Sequence, residues 1–128
     1  MVMFRAIIVD DHAFFRTSLR EVLASRFPDS VIEEAADGRI ALEKIEDDPP
    51  DLVFMDIQLP GENGLEITRR IKKHHPGMRV IILTSYDLPE YREAASKLGA
   101  SAFLTKGATN PQEIASVVAS LLADAARS

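Results

Sequence analysis

Five short apolar runs punctuate the chain: Ala6-Ile7-Ile8-Val9, Val31-Ile32, Leu52-Val53-Phe54-Met55, Val80-Ile81-Ile82-Leu83 and Ala102-Phe103-Leu104. Each leads through a polar break into a segment with helical spacing. Four of the runs are too short for helices and apolar on consecutive residues. That pattern predicts strands covered on both faces, as in a parallel sheet held between helices. The second run, Val31-Ile32-Glu33-Glu34-Ala35, is more polar and predicts an edge strand.

The intervening segments have recognisable ends. Phe15, Leu19, Val22, Leu23 and Phe27 form one helical stripe, stopped by Pro28. Ile40, Ala41, Leu42 and Ile45 form a second, with Asp37 as candidate cap and Pro49-Pro50 as stop. Leu65, Thr68 and Ile71 mark a third, closed before Pro76-Gly77. Tyr91, Ala94, Ala95 and Leu98 make a weaker fourth, ended by Gly99 where helices favour a left-handed residue. The fifth opens on Asn110-Pro111-Gln112-Glu113, which supplies an N-cap, a proline at the first helical position and an acid three residues after the cap. Its stripe is Ile114, Val117, Val118, Leu121 and Leu122.

Five strand–helix units predict an α/β fold, a doubly wound parallel sheet of five strands with five helices on its two faces. Spacing alone does not fix the strand order. The 128 residues suit one domain, residues 1–128, and their 46% hydrophobic and 27% charged content is that of a globular protein. No apolar run approaches the ~20 residues that span a bilayer, so no membrane association is expected. The start, Met1-Val2-Met3-Phe4-Arg5, leads into a strand ending in two aspartates, with no signal-peptide cleavage site. The absence of cysteine excludes disulfide scaffolds, thiol catalysis and zinc–thiolate sites, and fits a cytoplasmic location. A net charge of -5 opposes binding to a phosphate backbone.

Candidate chemistry collects where the strands end, the side of an open parallel sheet on which ligands bind. The first strand ends in Asp10-Asp11, the third in Asp56, the fourth in Thr84-Ser85 and the fifth in Thr105-Lys106. Three carboxylates in a partly dry cleft repel one another, and a divalent cation relieves this; hard oxygen donors favour magnesium. With the ammonium of Lys106 and the hydroxyl of Thr84, the set suits a phosphoryl group, whose oxygens need positive charge and hydrogen bonds. One carboxylate is then free to act as the acceptor nucleophile.

These motifs carry a family resemblance over essentially the whole chain. Ile7-Ile8-Val9-Asp10-Asp11-His12, Met55-Asp56-Ile57-Gln58-Leu59-Pro60-Gly61-Glu62-Asn63-Gly64, Leu83-Thr84-Ser85-Tyr86 and Phe103-Leu104-Thr105-Lys106 resemble, in order, the receiver domain of two-component response regulators. The Asp-Asp-His opening, Thr-Ser-Tyr and Gly99-Ala100-Ser101-Ala102-Phe103-Leu104 look most like receivers of the NarL/LuxR type. The resemblance implies a flavodoxin-like fold of strand order 2-1-3-4-5. It implies that Asp56 is the phospho-acceptor, served by a sensor histidine kinase. It makes Asp11, Asp56 and the backbone carbonyl of Gln58 ligands of Mg2+, with Asp10 acting through water. Lys106 matches the phosphate partner, Thr84 the hydroxyl that moves toward the phosphoryl group, and Phe103 the aromatic that changes rotamer with it. Such a domain is regulatory and not an enzyme in the ordinary sense, though it assists its own phosphorylation and dephosphorylation. Its output is expected to be transcription, through a DNA-binding domain that the four residues after the fifth helix, Ala125-Ala126-Arg127-Ser128, are too few to form. A homodimer through the face of the fourth helix, fifth strand and fifth helix is a further expectation.

Two departures from the family pattern stand out. Gly107 follows Lys106 where many receivers have a proline preceded by a cis peptide bond. Phe103 lacks the hydroxyl of the commoner tyrosine, so a switch there is read by packing. Gln58 and Tyr86 occupy positions that modulate dephosphorylation in the family.

Blander readings exist for each residue. Asp10-Asp11 suits a helix cap, Asp56 a turn, Lys106 a solvated surface and Thr84 a strand end. The ordered set at four strand ends outweighs them. His74 and His75 are adjacent, so on a helix they diverge by about 100° and form no i, i+4 metal pair. They and His12 read as structural. Arg69, Arg70, Lys72 and Lys73 read as the solvated face of the third helix, opposite Leu65 and Ile71. A receiver that never takes phosphate and serves only as an interaction module, and a small-molecule phosphotransferase, are the competing functions. The complete site residues argue against the first, and the lack of a cap element for substrate argues against the second.

Overall fold

The computed structural model describes residues 3–127; Met1, Val2 and Ser128, named above, lie outside them. In chain order the elements are β1 (Arg5–Val9), α1 (Ala13–Arg26), β2 (Val31–Ala35), α2 (Gly38–Asp47), β3 (Leu52–Met55), β4 (Gln58–Leu59), β5 (Glu62–Asn63), α3 (Gly64–His74), β6 (Arg79–Thr84), α4 (Pro89–Lys97), β7 (Ala102–Thr105) and α5 (Pro111–Arg127). Five strands form one parallel sheet in the order β2-β1-β3-β6-β7. With the short β4–β5 hairpin set aside, this is the predicted 2-1-3-4-5.

Alternation along the strands builds two cores, one on each side of the sheet. Ile7 and Val9, Val53 and Met55, Val80 and Ile82 face Ala41 and Ile45 of α2, Ile67 and Ile71 of α3 and Ala95 of α4. Ala6 and Ile8, Leu52 and Phe54, Ile81 and Leu83 face Leu19 and Leu23 of α1 and Ile114, Ala115 and Val118 of α5. Both faces are covered, which is why the three central strands read as unbroken apolar runs. Fully burying one such side chain contributes roughly 1.5–3 kcal/mol.

The predicted helix ends are largely found. Asp37 caps α2 by accepting the Ile40 N–H at 2.9 Å, and Asn110 accepts the Glu113 N–H at 2.9 Å. Gly99 has φ +86°, and the bonds Gly99 N–H to Ser96 and Ala100 N–H to Ala95 close α4 in a Schellman arrangement.

Four details differ from the sequence reading. Helix α5 runs on through Arg127, past the point before Ala125 where the sequence reading ends it. The fifth run, β7, is half-buried throughout, because it is the second edge of the sheet. Ile67 joins Thr68 and Ile71 on the buried face of α3, whereas Leu65 is only partly covered. The segment after Asp56 forms the antiparallel β4–β5 hairpin, turned at Gly61 with φ +71°.

Candidate functional site

The register of the sheet fixes the site. Val9 pairs with Met55, so the next residues, Asp10 and Asp56, leave adjacent strands side by side. The Asp56 N–H donates to the Val9 carbonyl at 3.0 Å and the Asp10 N–H to that of Ala35 at 3.0 Å. On the other side Thr84 pairs with Thr105, and the Lys106 N–H donates back to Thr84 at 2.8 Å. Residues distant in sequence thus reach one rim through ladder hydrogen bonds alone.

Asp10, Asp56 and Thr84 are buried, at 1%, 4% and 0% exposure. Two carboxylates in that setting need a cation. Lys106 supplies it: its Nζ donates to Oδ2 of Asp10 and, at 3.1 Å, to Oδ2 of Asp56. The ammonium also rests on the ring of Phe15, 4.2 Å from its centroid. Gly107, with φ +83°, turns the chain directly after it. A proline, whose φ is held near −65°, has no access to that conformation.

The remaining oxygens of both aspartates are also engaged. Asp10 Oδ1 accepts the His12 N–H at 2.9 Å, and Asp56 Oδ1 accepts the Gln58 N–H at 3.4 Å. Asp11 is more open, its side chain 35% exposed. It lines a cleft of about 500 Å³ with His12, Asp56, Gln58, Tyr86 and Lys106. The helix-cap reading of Asp10-Asp11 is not what the structure shows. The N-cap of α1 is His12, without a side-chain cap bond.

Ligand atoms of Asp10, Asp11, His12 and Asp56 all lie within 4.8 Å of one another. Three carboxylates against one ammonium leave two formal negative charges uncovered, the charge of one divalent cation. The donors are mostly hard oxygens around an open cleft, so the residues fit Mg2+.

Thr84 Oγ1 accepts the Tyr86 N–H at 3.3 Å. The pairs Ile82–Phe103 and Thr84–Thr105 put Thr84 and Phe103 on one face of the β6–β7 ribbon. Phe103 is half-buried against the core of that face, and the Arg92 guanidinium lies over its ring, 4.7 Å from the centroid.

Sequence reasoning missed three supports. Arg16 donates to the Asp10 carbonyl at 2.6 Å and to Glu34 at 2.9 Å; a basic residue in a helix carries no sign of such a long-range role. Phe15 reads as core but seats Lys106. Gly64 closes on the Asp56 backbone, its N–H donating to Ile57 at 2.7 Å. Its signal was present, as a glycine opening a helix. Of the histidines, His74 ends α3 and His75 is its C-cap, while His12 alone joins the site.

Residues 6–119 match the response regulator receiver domain family. The chain is 35% identical over 106 residues to the response regulator GacA of Pseudomonas viridiflava, covering 83% of this chain and 50% of that protein. It is 37% identical over 107 residues to the chemotaxis protein CheY of Halobacterium salinarum, covering 84% and 88% respectively. A LuxR-family two-component response regulator from Aurantimonas sp. SI85-9A1 superimposes with a TM-score of 0.87 at 33% identity, over 96% of this chain and 87% of that one. The chain thus spans about half the length of GacA and most of CheY. A parallel sheet that gathers its carboxylates, lysine and threonine on one rim, and a family match across nearly its whole length, lead to one conclusion: the chain belongs to the response regulator receiver domains of two-component signal transduction.

Proposed function

We propose that residues 1–128 act as one phospho-accepting receiver, in which Asp56 takes a phosphoryl group from a phosphohistidine of a sensor histidine kinase. The observation that carries this reading is Lys106 bridging the buried pair Asp10 and Asp56 at the mouth of an acidic cleft. A carboxylate oxygen of Asp56 attacks phosphorus, an O–P bond forms, the N–P bond breaks and the departing imidazole takes a proton. Asp11, Asp56 and the carbonyl of Gln58 would hold Mg2+, with Asp10 acting through water, and the bound ion offsets charge on the phosphoryl oxygens. Lys106 exchanges a carboxylate partner for a phosphoryl oxygen. Thr84 Oγ1 gives up the Tyr86 N–H and donates its own proton to another. Phe103 follows by packing, and α4 shifts.

The domain catalyses no turnover of an outside substrate; it assists loss of its own phosphoryl group, with Gln58 and Tyr86 at the cleft mouth setting the rate. Its setting is the cytoplasm, and its output is transcription through a DNA-binding domain, the arrangement to which the LuxR-family similarity points. Phosphorylation favours a homodimer through the α4–β7–α5 face. The decisive experiment is intact-protein mass spectrometry after incubation with acetyl phosphate and Mg2+. One phosphoryl mass is expected, lost on chelation and in Asp56→Asn. An undiminished mass in that variant overturns the assignment.

A further inference from the structure

The chain contains two asparagines, and the residues that follow them differ in what they allow. Asn110 precedes Pro111, which has no N–H, whereas Asn63 precedes Gly64. A backbone nitrogen after asparagine can attack the side-chain amide carbon, and glycine, without a Cβ, hinders that approach least. Asn63 is exposed at the end of β5, where the β4–β5 hairpin meets α3. Three features of the folded chain hold the two groups apart. The Asn63 backbone is extended, with φ −101° and ψ 127°, so the Gly64 nitrogen is turned away from the position in which a five-membered ring closes. The Gly64 N–H is committed to the Ile57 carbonyl at 2.7 Å, and the nitrogen must lose that proton to attack. The Asn63 side-chain oxygen accepts the Leu65 N–H at 2.8 Å, which fixes the amide as the N-cap of α3. All three depend on a hairpin of two-residue strands, in which Gln58 pairs with Asn63 and Leu59 with Glu62. So short a hairpin opens at a fraction of the free energy of global unfolding.

We propose that Asn63–Gly64 is a deamidation site, held closed by the folded hairpin and released when β4–β5 opens. In the open state the Gly64 nitrogen bonds to Cγ of Asn63. Its proton is carried by water to the departing amide nitrogen, which leaves as ammonia, and a succinimide remains. Water then opens that ring at one of its two carbonyls. Breaking the bond from nitrogen to Cγ leaves aspartate at position 63 on an unchanged main chain. Breaking the bond to the backbone carbonyl leaves isoaspartate, whose main chain runs through the side-chain carbons. Aspartate keeps the cap and adds negative charge at a helix N-terminus, where it is favourable. Isoaspartate lengthens the main chain by one atom where the Gly64 and Leu65 N–H groups are both bonded, so α3 starts out of register. One product is thus tolerated, and the other loosens the junction that formed it.

The test holds the full chain at mildly alkaline pH, in buffer and across a urea series, and follows it by peptide mass spectrometry. A gain of about one dalton is expected in the peptide carrying residues 63 and 64, with the Asn110 peptide unchanged. The gain should be about tenfold or more faster in fully unfolding urea than in buffer. It should be absent from Asn63→Ser, which keeps a capping side chain. Below the unfolding transition the rate should stay nearly level with urea, as for a local opening. The isoaspartate fraction, separated by ion exchange, should unfold at lower urea than the unmodified chain, and Asn63→Asp should not. No gain in unfolding urea overturns the site, and equal rates in urea and buffer overturn the guard. A rate in buffer that tracks the globally unfolded fraction overturns the part given to the hairpin.

Discussion

Gly64 stands so close to Asp56 that no side chain fits between them: a Cβ built on Gly64 lies 1.9 Å from the Asp56 carbonyl oxygen. That oxygen is backbone, so no rotamer change relieves the clash. Gly64→Ala must push α3 away from the strand end that carries Asp56, the proposed phospho-acceptor. A loss of about 1–3 kcal/mol in urea unfolding is expected. Slower phosphorylation by acetyl phosphate should accompany it. Wild-type stability and rate together would show that the approach is not tight.

Lys106 is the cation of a nearly dry triad, with Asp10, Asp56 and Lys106 side chains 2%, 5% and 12% exposed. Removing it takes the bridging ammonium from two buried carboxylates. Lys106→Met should cost about 3 kcal/mol in chelator, the scale of a broken buried pair. Excess Mg2+ should then stabilise the variant more than it stabilises wild type, because the ion substitutes for the lost charge. Equal Mg2+ effects on the two proteins would contradict the charge balance.

The sheet was legible because its three central strands are covered on both faces, so they read as unbroken apolar runs. The aspartates, Thr84 and Lys106 were legible because a parallel register converts the position after each strand into one rim. The β4–β5 hairpin was not, since two-residue strands leave no periodicity and Pro60-Gly61 signals only a turn. Arg16 and Phe15 escaped for a different reason. Their partners, Asp10, Glu34 and Lys106, are set by tertiary packing, and side-chain type and spacing on α1 do not encode it.

Arg92 ties α4 to β7, the strand of the proposed switch residue Phe103, lying over that ring and bonded to Asp87. The hydrogen bond between them holds the Asp87 carboxyl below its usual range and Arg92 above its own. Only Ala95 of α4 is buried, so little else secures that helix. Arg92→Ala should speed hydrogen exchange across residues 84–107 in the unphosphorylated protein. It should also shrink the change caused by beryllofluoride. Identical exchange with and without the mimic in wild type would remove the basis for a switch on this face.

Glu34 adds an acid-sensitive support beneath the site. Burial is the largest single influence on its carboxyl and pushes its pKa up, but hydrogen bonds and charge from Arg16 and Arg20 together bring it below the ordinary 4.5. A carboxyl lowered by folding stabilises above its unfolded pKa, and that contribution is lost as pH falls through the folded value. Glu34→Gln should therefore lower stability at neutral pH and flatten the acid limb below about 4.5. Thermal melts from pH 7 to 3 read this directly; parallel curves for variant and wild type would sink it.

DNA binding by this receiver alone is not expected, and the basic face of α3 explains why. Of its four cations, Arg69 pairs with Glu66 and Arg70 faces Glu62 at 3.7 Å. Lys72 turns back to the carbonyls of Pro76 and Met78, at 3.1 and 2.8 Å. Burial, and after it the charge of Arg79, lower its pKa from the ordinary lysine value. On this face of α3, among the described residues, Lys73 is then left as the main charge without an acidic partner, on a protein of net charge -5, too little to hold a polyanion against that field. An anisotropy titration with duplex DNA at low salt, where electrostatic binding is strongest, should show no saturable signal at micromolar protein. Saturable binding abolished by Arg69→Ala with Lys73→Ala would mean that the acidic partners on this face release their arginines to phosphate.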